Sequence, residues 1–214
     1  MSDKPQPASP TILQPTTVPT NINLPGDGNT LIAHTNAVSM STNTINVFVP
    51  SPQPNGVMLP TKRTLNTNLY NLFVIGDETF ASGHFIVPKD RALTECMIPE
   101  LKAKYAMLNE NAITAIKTLP SVFASENLHY GYTDITQQAY FGLVTDIKIQ
   151  ENGIKVHCQL LSAIPQQRLN EIAFNLAING ASSFNELNRT HWAIKHINLI
   201  EELKDAGISV LAPT

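Results

Sequence analysis

The chain has 214 residues, of which 43% are hydrophobic and 14% are charged, and its formal net charge is −3. This length and apolar content suit one folded domain with appended segments. The mild acidity, without any polybasic run, argues against a general binder of nucleic-acid backbones or anionic membranes, because such proteins normally have a basic surface.

Residues 1–63 form a low-complexity arm rich in Pro, Thr and Asn, with five charged residues and ten of the fifteen prolines. Residues 1–24 predict a disordered tail. Residues 30–34 and 44–49 favour strands, and Ile45, Val47 and Val49 alternate in the second stretch. The arm is either a flexible tether or a strand-adding segment that pairs with another chain or with its own copies. The first interpretation predicts that the arm tethers the protein, and the second predicts that it mediates oligomerisation or pairing with another chain.

A short segment within the arm, residues 26–34, reads GDGNTLIAH. It resembles the Gly-Asn segments that link or recruit modules in bacterial antiphage, or conflict-system, proteins. The resemblance implies a place in a bacterial defence assembly and identifies no family for the rest of the chain.

Residues 65–134 predict two strands followed by helices. The apolar runs 72–75 and 84–87 indicate a hairpin. Asp90 is a suitable N-cap for a helix over 91–97, Pro99 opens a helix reaching Leu108, and Asn109 caps a third helix that Pro120 ends. The stretch after Pro120 predicts a loop.

Residues 139–161 predict a β-hairpin that turns at Asn152-Gly153, since Asn-Gly is a strong signal for a two-residue turn. That turn places Ile149 opposite Val156 and Ile147 opposite Cys158, with the apolar side chains on one face.

Three helices are predicted to close the chain. Pro165 starts the first, which ends before Gly180. Ser183 with Glu186 and Asn198 with Glu201 form capping boxes for helices over 184–195 and 199–206. Residues 64–214 are therefore predicted to form a single α+β domain in which short antiparallel hairpins pack against helices.

The segment 184–203 gathers the candidate binding residues Arg189, His191, Trp192 and Lys195. His191 and His196 are five residues apart and would point in different directions on a helix, so no metal site is predicted. Three interpretations stay open: Trp192 packs in the core between the last two helices, Trp192 and Arg189 form an exposed interface, or the helix pair reads nucleic acid.

The loop 124–134 holds the other candidates. Glu126 and His129 are weak candidates for an acid/base pair, and Tyr130 and Tyr132 are candidate binding residues. No phosphate-binding glycine loop occurs, so no cofactor is predicted. Cys96 is interpreted as a buried residue of the helix over 91–97.

Together these features favour a non-enzymatic module that recognises a protein partner or a ligand within a bacterial assembly. The alternatives are a nucleic-acid-binding protein that uses the C-terminal helix pair and a hydrolase-like enzyme with its site in the loop 124–134. Two cysteines, no apolar run of about 20 residues and no signal-peptide features predict a cytoplasmic protein without a membrane partner.

Overall fold

The computed structural model describes residues 43–52, 57–179 and 185–211. The antiphage-like segment, the strand expected at 30–34, Gly180 and Ser183 lie outside these residues. The described part contains helices and two β-sheets and is rich in strand, which agrees with the α+β class at this coarse level. None of its helices is long and apolar enough to cross a membrane.

Strands β1 (Thr44–Pro52) and β2 (Met58–Asn66) form a separate antiparallel hairpin. The alternation seen in the sequence explains its two faces, since Val47 and Val49 are buried with Leu65 against Leu143, whereas Phe48 is exposed. The strand expected at 44–49 is therefore present. The arm boundary expected at residue 63 falls inside β2.

The main sheet has six strands in the order β4-β7-β6-β5-β3-β8. The pair β3–β5 is parallel and the other neighbours are antiparallel, so the sheet is mixed. Its strands are β3 (Tyr70–Val74), β4 (His84–Val87), β5 (Pro120–Ala124), β6 (Gln138–Gln150), β7 (Gly153–Pro165) and β8 (His191–Lys195).

The hairpin expected between 72–75 and 84–87 is wrong, although both strands exist. β3 pairs with β5 and β8, whereas β4 pairs with β7 at the edge of the sheet. Every residue of β3 is buried, because β3 is an interior strand that is covered on both faces. A strand of this kind needs two neighbours, and a local hairpin provides only one.

The long hairpin β6–β7 is confirmed, but its register is not the predicted one. Ile149 lies opposite Ile154 and Ile147 opposite Val156, so the turn is Glu151-Asn152. The two registers differ by two residues, which leaves every side chain on the same face, so the alternation cannot distinguish them. Gly153 allows the close approach of neighbouring β4, since a Cβ at this position would lie 2.5 Å from Ile86 Cγ2 and 2.9 Å from the Val87 carbonyl oxygen.

Within the described residues, four helices cover the sheet: α1 (Pro99–Tyr105), α2 (Glu110–Ile116), α3 (Gln166–Glu171) and α4 (Leu199–Asp205). On one face α1 and α2 pack on a core that includes Phe73, Phe123 and Trp192. On the other face α3 and α4 pack on a core that includes Leu72 and Phe141. The sheet is therefore sandwiched between two helical layers.

The sequence predicted the first residues of three helices correctly, at the positions where a capping residue or a proline begins the helix. Asn109 Oδ1 accepts from the Ala112 N–H at 2.9 Å, Asn198 Oδ1 accepts from the Glu201 N–H, and Pro99 begins α1. α3 ends at Glu171, earlier than expected, and turns continue to Ala177.

Three expectations were wrong. No helix forms over 91–97: a short 3-10 turn at Lys89–Arg91 is followed by bends at 93–97, with Leu93 and Cys96 at positive φ. Residues 120–124 are strand β5 and not loop. The helix expected over 184–195 is replaced by a 3-10 turn at Glu186–Asn188 and by strand β8, so the helix pair invoked for nucleic-acid reading does not form.

Candidate functional site

A cleft of about 480 Å³ opens at the carboxyl ends of β3 and β5. Because these strands are parallel, the residues that follow them meet at the same edge of the sheet. The cleft is lined by Gly76, Asp77, Glu78 and Thr79 after β3, and by Ser125, Glu126, Asn127, Leu128 and Gln137 after β5. The carboxylates of Asp77, Glu78 and Glu126 therefore line this cleft, which we call the acidic cleft.

Backbone and hydroxyl groups hold two of these carboxylates in place. Glu126 Oε1 accepts from the Thr190 N–H at 2.6 Å and from Thr190 Oγ1 at 2.5 Å, and Thr190 Oγ1 accepts from the Gly76 N–H at 2.8 Å. Glu78 Oε1 accepts from the N–H groups of Thr79 and Phe80. Thr190 thus joins the ends of β3 and β5 to the start of β8.

Beside the acidic cleft, residues 128–135 form a loop that exposes four large apolar side chains. We call it the aromatic loop. Their exposed fractions range from 53% to 85%, and they are Leu128, Tyr130, Tyr132 and Ile135. Backbone hydrogen bonds in both directions between His129 and Tyr132 close its tip, where Gly131 has φ +65°.

The aromatic loop is held from below by amide side chains. Asn188 Oδ1 accepts from the Gly131 N–H at 2.8 Å, and its Nδ2 donates to the His129 carbonyl at 3.0 Å. Gln167 Oε1 accepts from the Thr133 N–H at 3.0 Å. Asp134 accepts from Thr136 and Gln137, and these hydrogen bonds lower the pKa of its carboxyl group. The loop is therefore fixed at its tip and at its base.

Two of the predicted binding residues, Tyr130 and Tyr132, belong to this surface. Arg189 is half exposed and forms an ion pair with Glu95 at 3.3 Å. The acid/base pair does not form: Glu126 bonds to Thr190, whereas the ring of His129 stacks on that of Tyr132.

The remaining predicted residues are interior, so the interface interpretation of Trp192 is wrong. Trp192 has no exposed surface, stacks on Phe73 with 4.9 Å between ring centroids, and donates through Nε1 to Asn71 Oδ1. It faces the core with α1 and α2 because β8 is a strand. His191 and Lys195 point to the other face and are also buried.

The structure brings His191 and Lys195 together around Glu186, which is 2% exposed. Lys195 Nζ donates to Glu186 Oε1 at 2.6 Å and to the Cys96 carbonyl oxygen at 2.7 Å. His191 Nε2 lies 3.1 Å from Glu186 Oε2. A buried carboxylate is stabilised only when such partners compensate for its desolvation.

The hydrogen bonds of His191 define its tautomer. Nδ1 lies 2.8 Å from the Arg189 carbonyl oxygen, which can only accept, so Nδ1 carries the hydrogen. Nε2 and Glu186 Oε2 are then both acceptors unless one of them holds a proton. At their separation of 3.1 Å, a hydrogen bond between them therefore requires a proton on one of the two atoms.

Cys96, which is half-buried, completes this group. We call the group, which consists of Cys96, Glu186, His191 and Lys195, the buried cluster after its other three members. Burial and the neighbouring Glu186 carboxylate raise the pKa of the Cys96 thiol to about 11. The backbone of Cys96 has φ +58°, a conformation uncommon for a residue with a side chain. A pocket of about 460 Å³ reaches Cys96, Glu186 and Lys195 from the surface.

Sequence reasoning missed the buried cluster because it placed His191 and Lys195 on a helix. On a strand, residues two and four apart point to the same face, and "HWAIK" does alternate between Trp192 and Ile194 on one face and polar ends on the other. This period of two residues was the signal in the sequence that could have identified the strand. Glu186 and Cys96 are separated in sequence by ninety residues, and nothing local relates them.

No family model, curated protein or solved structure matches this chain.

Proposed function

We propose that this protein is a recognition module that binds a segment of a partner protein in the acidic cleft and on the aromatic loop. The partner segment offers a lysine or arginine next to apolar side chains. The single observation that supports this proposal most is the juxtaposition of three carboxylates with four exposed apolar side chains on a fixed loop.

Charge selects the basic side chain of the partner. Asp77, Glu78 and Glu126 line the acidic cleft, and among the described residues that line it none is basic. A cation that enters the cleft gains charge-assisted hydrogen bonds to these carboxylates. The same charges repel phosphate, which disfavours the nucleic-acid alternative.

The aromatic loop supplies the apolar part of the contact. Tyrosine side chains contribute large contact area at a low cost in conformational entropy, and they are enriched among the residues that dominate binding energies. Because Asn188 and Gln167 already hold the backbone of the loop, binding need not order it, and more of the contact energy remains as affinity.

In the proposed function, the N-terminal arm connects the module to an assembly. Residues 1–42 lie outside the described part, and the resemblance of residues 26–34 to recruitment segments of antiphage proteins fits a chain that works within an assembly. In this proposal the arm tethers or oligomerises the protein, while the acidic cleft and the aromatic loop select the partner.

A displayed random-peptide library tests this function on the immobilised full-length protein. Selected peptides are expected to combine a basic residue with apolar neighbours. In fluorescence anisotropy, Tyr132→Ala should weaken binding of the best peptide by about 10-fold or more. Glu78→Gln keeps an acceptor for Thr79 and Phe80 but removes the charge, so it should also weaken binding, and added salt should reduce its effect.

Met107→Ala is the matched control, because Met107 is 80% exposed and lies outside both surfaces. It should leave the affinity unchanged. Enrichment of acidic or uncharged peptides, or equal losses for Met107→Ala and Tyr132→Ala, would contradict the proposal.

A further inference from the structure

The buried cluster contains three different metal-ligating side chains whose donor atoms face one another. Cys96 Sγ, a carboxylate oxygen of Glu186 and a ring nitrogen of His191 all lie within 4.8 Å of one another. We propose that these three residues bind a divalent transition-metal ion, with Zn²⁺ as the expected ion, and leave a fourth position open toward the adjoining pocket.

The orientation of His191 is the first argument. Its Nδ1 donates to the Arg189 carbonyl oxygen, so Nε2 presents a lone pair to the cluster. Histidines that bind metals through one nitrogen almost always donate the other N–H to a carbonyl, a carboxylate or water, which fixes the tautomer and the ring plane. His191 already has this outer contact.

The contact between His191 Nε2 and Glu186 Oε2 is the second argument. A nitrogen lone pair and a carboxylate oxygen 3.1 Å apart need a proton between them in the metal-free protein, and a metal ion bound to both atoms can take the place of that proton. Ligand atoms of a tetrahedral zinc ion at about 2.0–2.3 Å lie roughly 3.3–3.6 Å apart. The histidine and glutamate therefore need almost no movement, and the Cys96 sulfur, which lies within 4.8 Å of both ligand atoms, must approach by at most about 1.5 Å.

Lys195 fixes the mode of binding by Glu186. Its ammonium group bonds to Oε1, which leaves Oε2 as the single ligand oxygen. The ion displaces two protons to solvent, the one between His191 Nε2 and Glu186 Oε2 and the one on the Cys96 thiol, and it binds the thiolate. A doubly charged ion with the thiolate and the carboxylate is neutral, so the ammonium does not face a net positive centre.

The donor set and the pocket indicate the type of site. Sulfur, nitrogen and oxygen ligands together suit zinc and its neighbours better than Mg²⁺ or Ca²⁺, which prefer oxygen alone. Three protein ligands with an open fourth position characterise sites that hold water or a small ligand. The pocket of about 460 Å³ reaches Cys96 and Glu186 and gives access to that position.

Titration of the full-length reduced protein with Co²⁺ tests this inference. One equivalent should produce a thiolate-to-cobalt charge-transfer band that Zn²⁺ abolishes. Cys96→Ser should eliminate the band, and His191→Gln should weaken Co²⁺ binding by more than about 10-fold. Cys158→Ser is the matched control, since Cys158 is the other cysteine and lies in the core on the opposite face. It should keep the band.

A second measurement needs only folded wild-type protein, in case a variant does not fold. Zn²⁺ should slow the modification of Cys96 by a thiol reagent, and this protection should disappear with a chelator. The absence of the cobalt band, its persistence in Cys96→Ser, or an unchanged modification rate with Zn²⁺ would each overturn the inference.

Discussion

Glu186 should be one of the most costly polar side chains to replace. Glu186→Met keeps much of the side-chain volume but leaves the Lys195 ammonium buried with only the Cys96 carbonyl oxygen as a partner. Glu186 is 2% and the Lys195 side chain 7% exposed, so water that enters through the adjoining pocket replaces the lost carboxylate only in part. Removing one partner of a buried ion pair costs about 3–5 kcal/mol. For a domain of this size, that loss lowers Tm by about 6–20 °C.

Urea unfolding followed by circular dichroism, with a chelator present, measures this free energy. The double variant Glu186→Met with Lys195→Met should recover a large part of the loss, because it removes the uncompensated charge together with its partner. Glu171→Met is the matched control. The Arg168–Glu171 pair has nearly the same N–O distance, 2.7 Å against 2.6 Å, but both side chains are 47% exposed. Its loss should be about 1 kcal/mol or less.

The reasoning fails if Glu186→Met costs no more than Glu171→Met. Glu186 would then be accessible to water, and burial would not be the reason for its partners. A double variant as unstable as the single one would show that Lys195 is not the group left uncompensated.

Three further predictions concern the core, a thiol and the arm. Trp192→Ala should cost about 3–5 kcal/mol in urea unfolding because it removes the largest fully buried side chain, and a loss below about 1 kcal/mol would contradict the burial. Burial, with Glu78 nearby, raises the pKa of the Cys158 thiol to about 11. The folded state therefore favours the neutral thiol. This preference should contribute fully to the free energy of unfolding below about pH 8.5, the pKa of an unfolded thiol, and the contribution should be lost as pH rises toward 11. Unfolding at pH 8 and 10.5 should show a smaller pH-dependent loss in Cys158→Ala, and equal losses would refute the assignment. Deletion of residues 1–42, which leaves β1 intact, should reduce the mass found by light scattering if this part of the arm oligomerises the protein, and an unchanged mass would exclude that role for residues 1–42.

The candidate sites differ in how far sequence alone could reveal them. The aromatic loop was visible as a polar and aromatic stretch, since exposed Tyr130 and Tyr132 lie within three residues of each other. The acidic cleft and the buried cluster were not, because each combines segments distant in sequence. Asp77 meets Glu126 only because β3 and β5 are parallel neighbours.

Sequence by itself determined those features whose interactions are local. Asn109 and Asn198 accept hydrogen bonds from N–H groups three residues further along, and the alternation in β6 and β7 sets their faces whichever register forms. These signals lie within a few residues of each other, so no knowledge of the fold is needed to interpret them.

Tertiary structure decided the strand order, the register of the β6–β7 hairpin and the secondary structure of residues 191–195. An isolated segment with Trp192 beside His191 is compatible with a helix or a strand. Pairing with β3 supplies its backbone hydrogen bonds, and covering layers on both faces bury His191 and Lys195 as well as Trp192. A strand that is buried on two faces needs packing partners from distant parts of the chain. The same long-range packing brings Cys96 close to Glu186, since both contact Lys195.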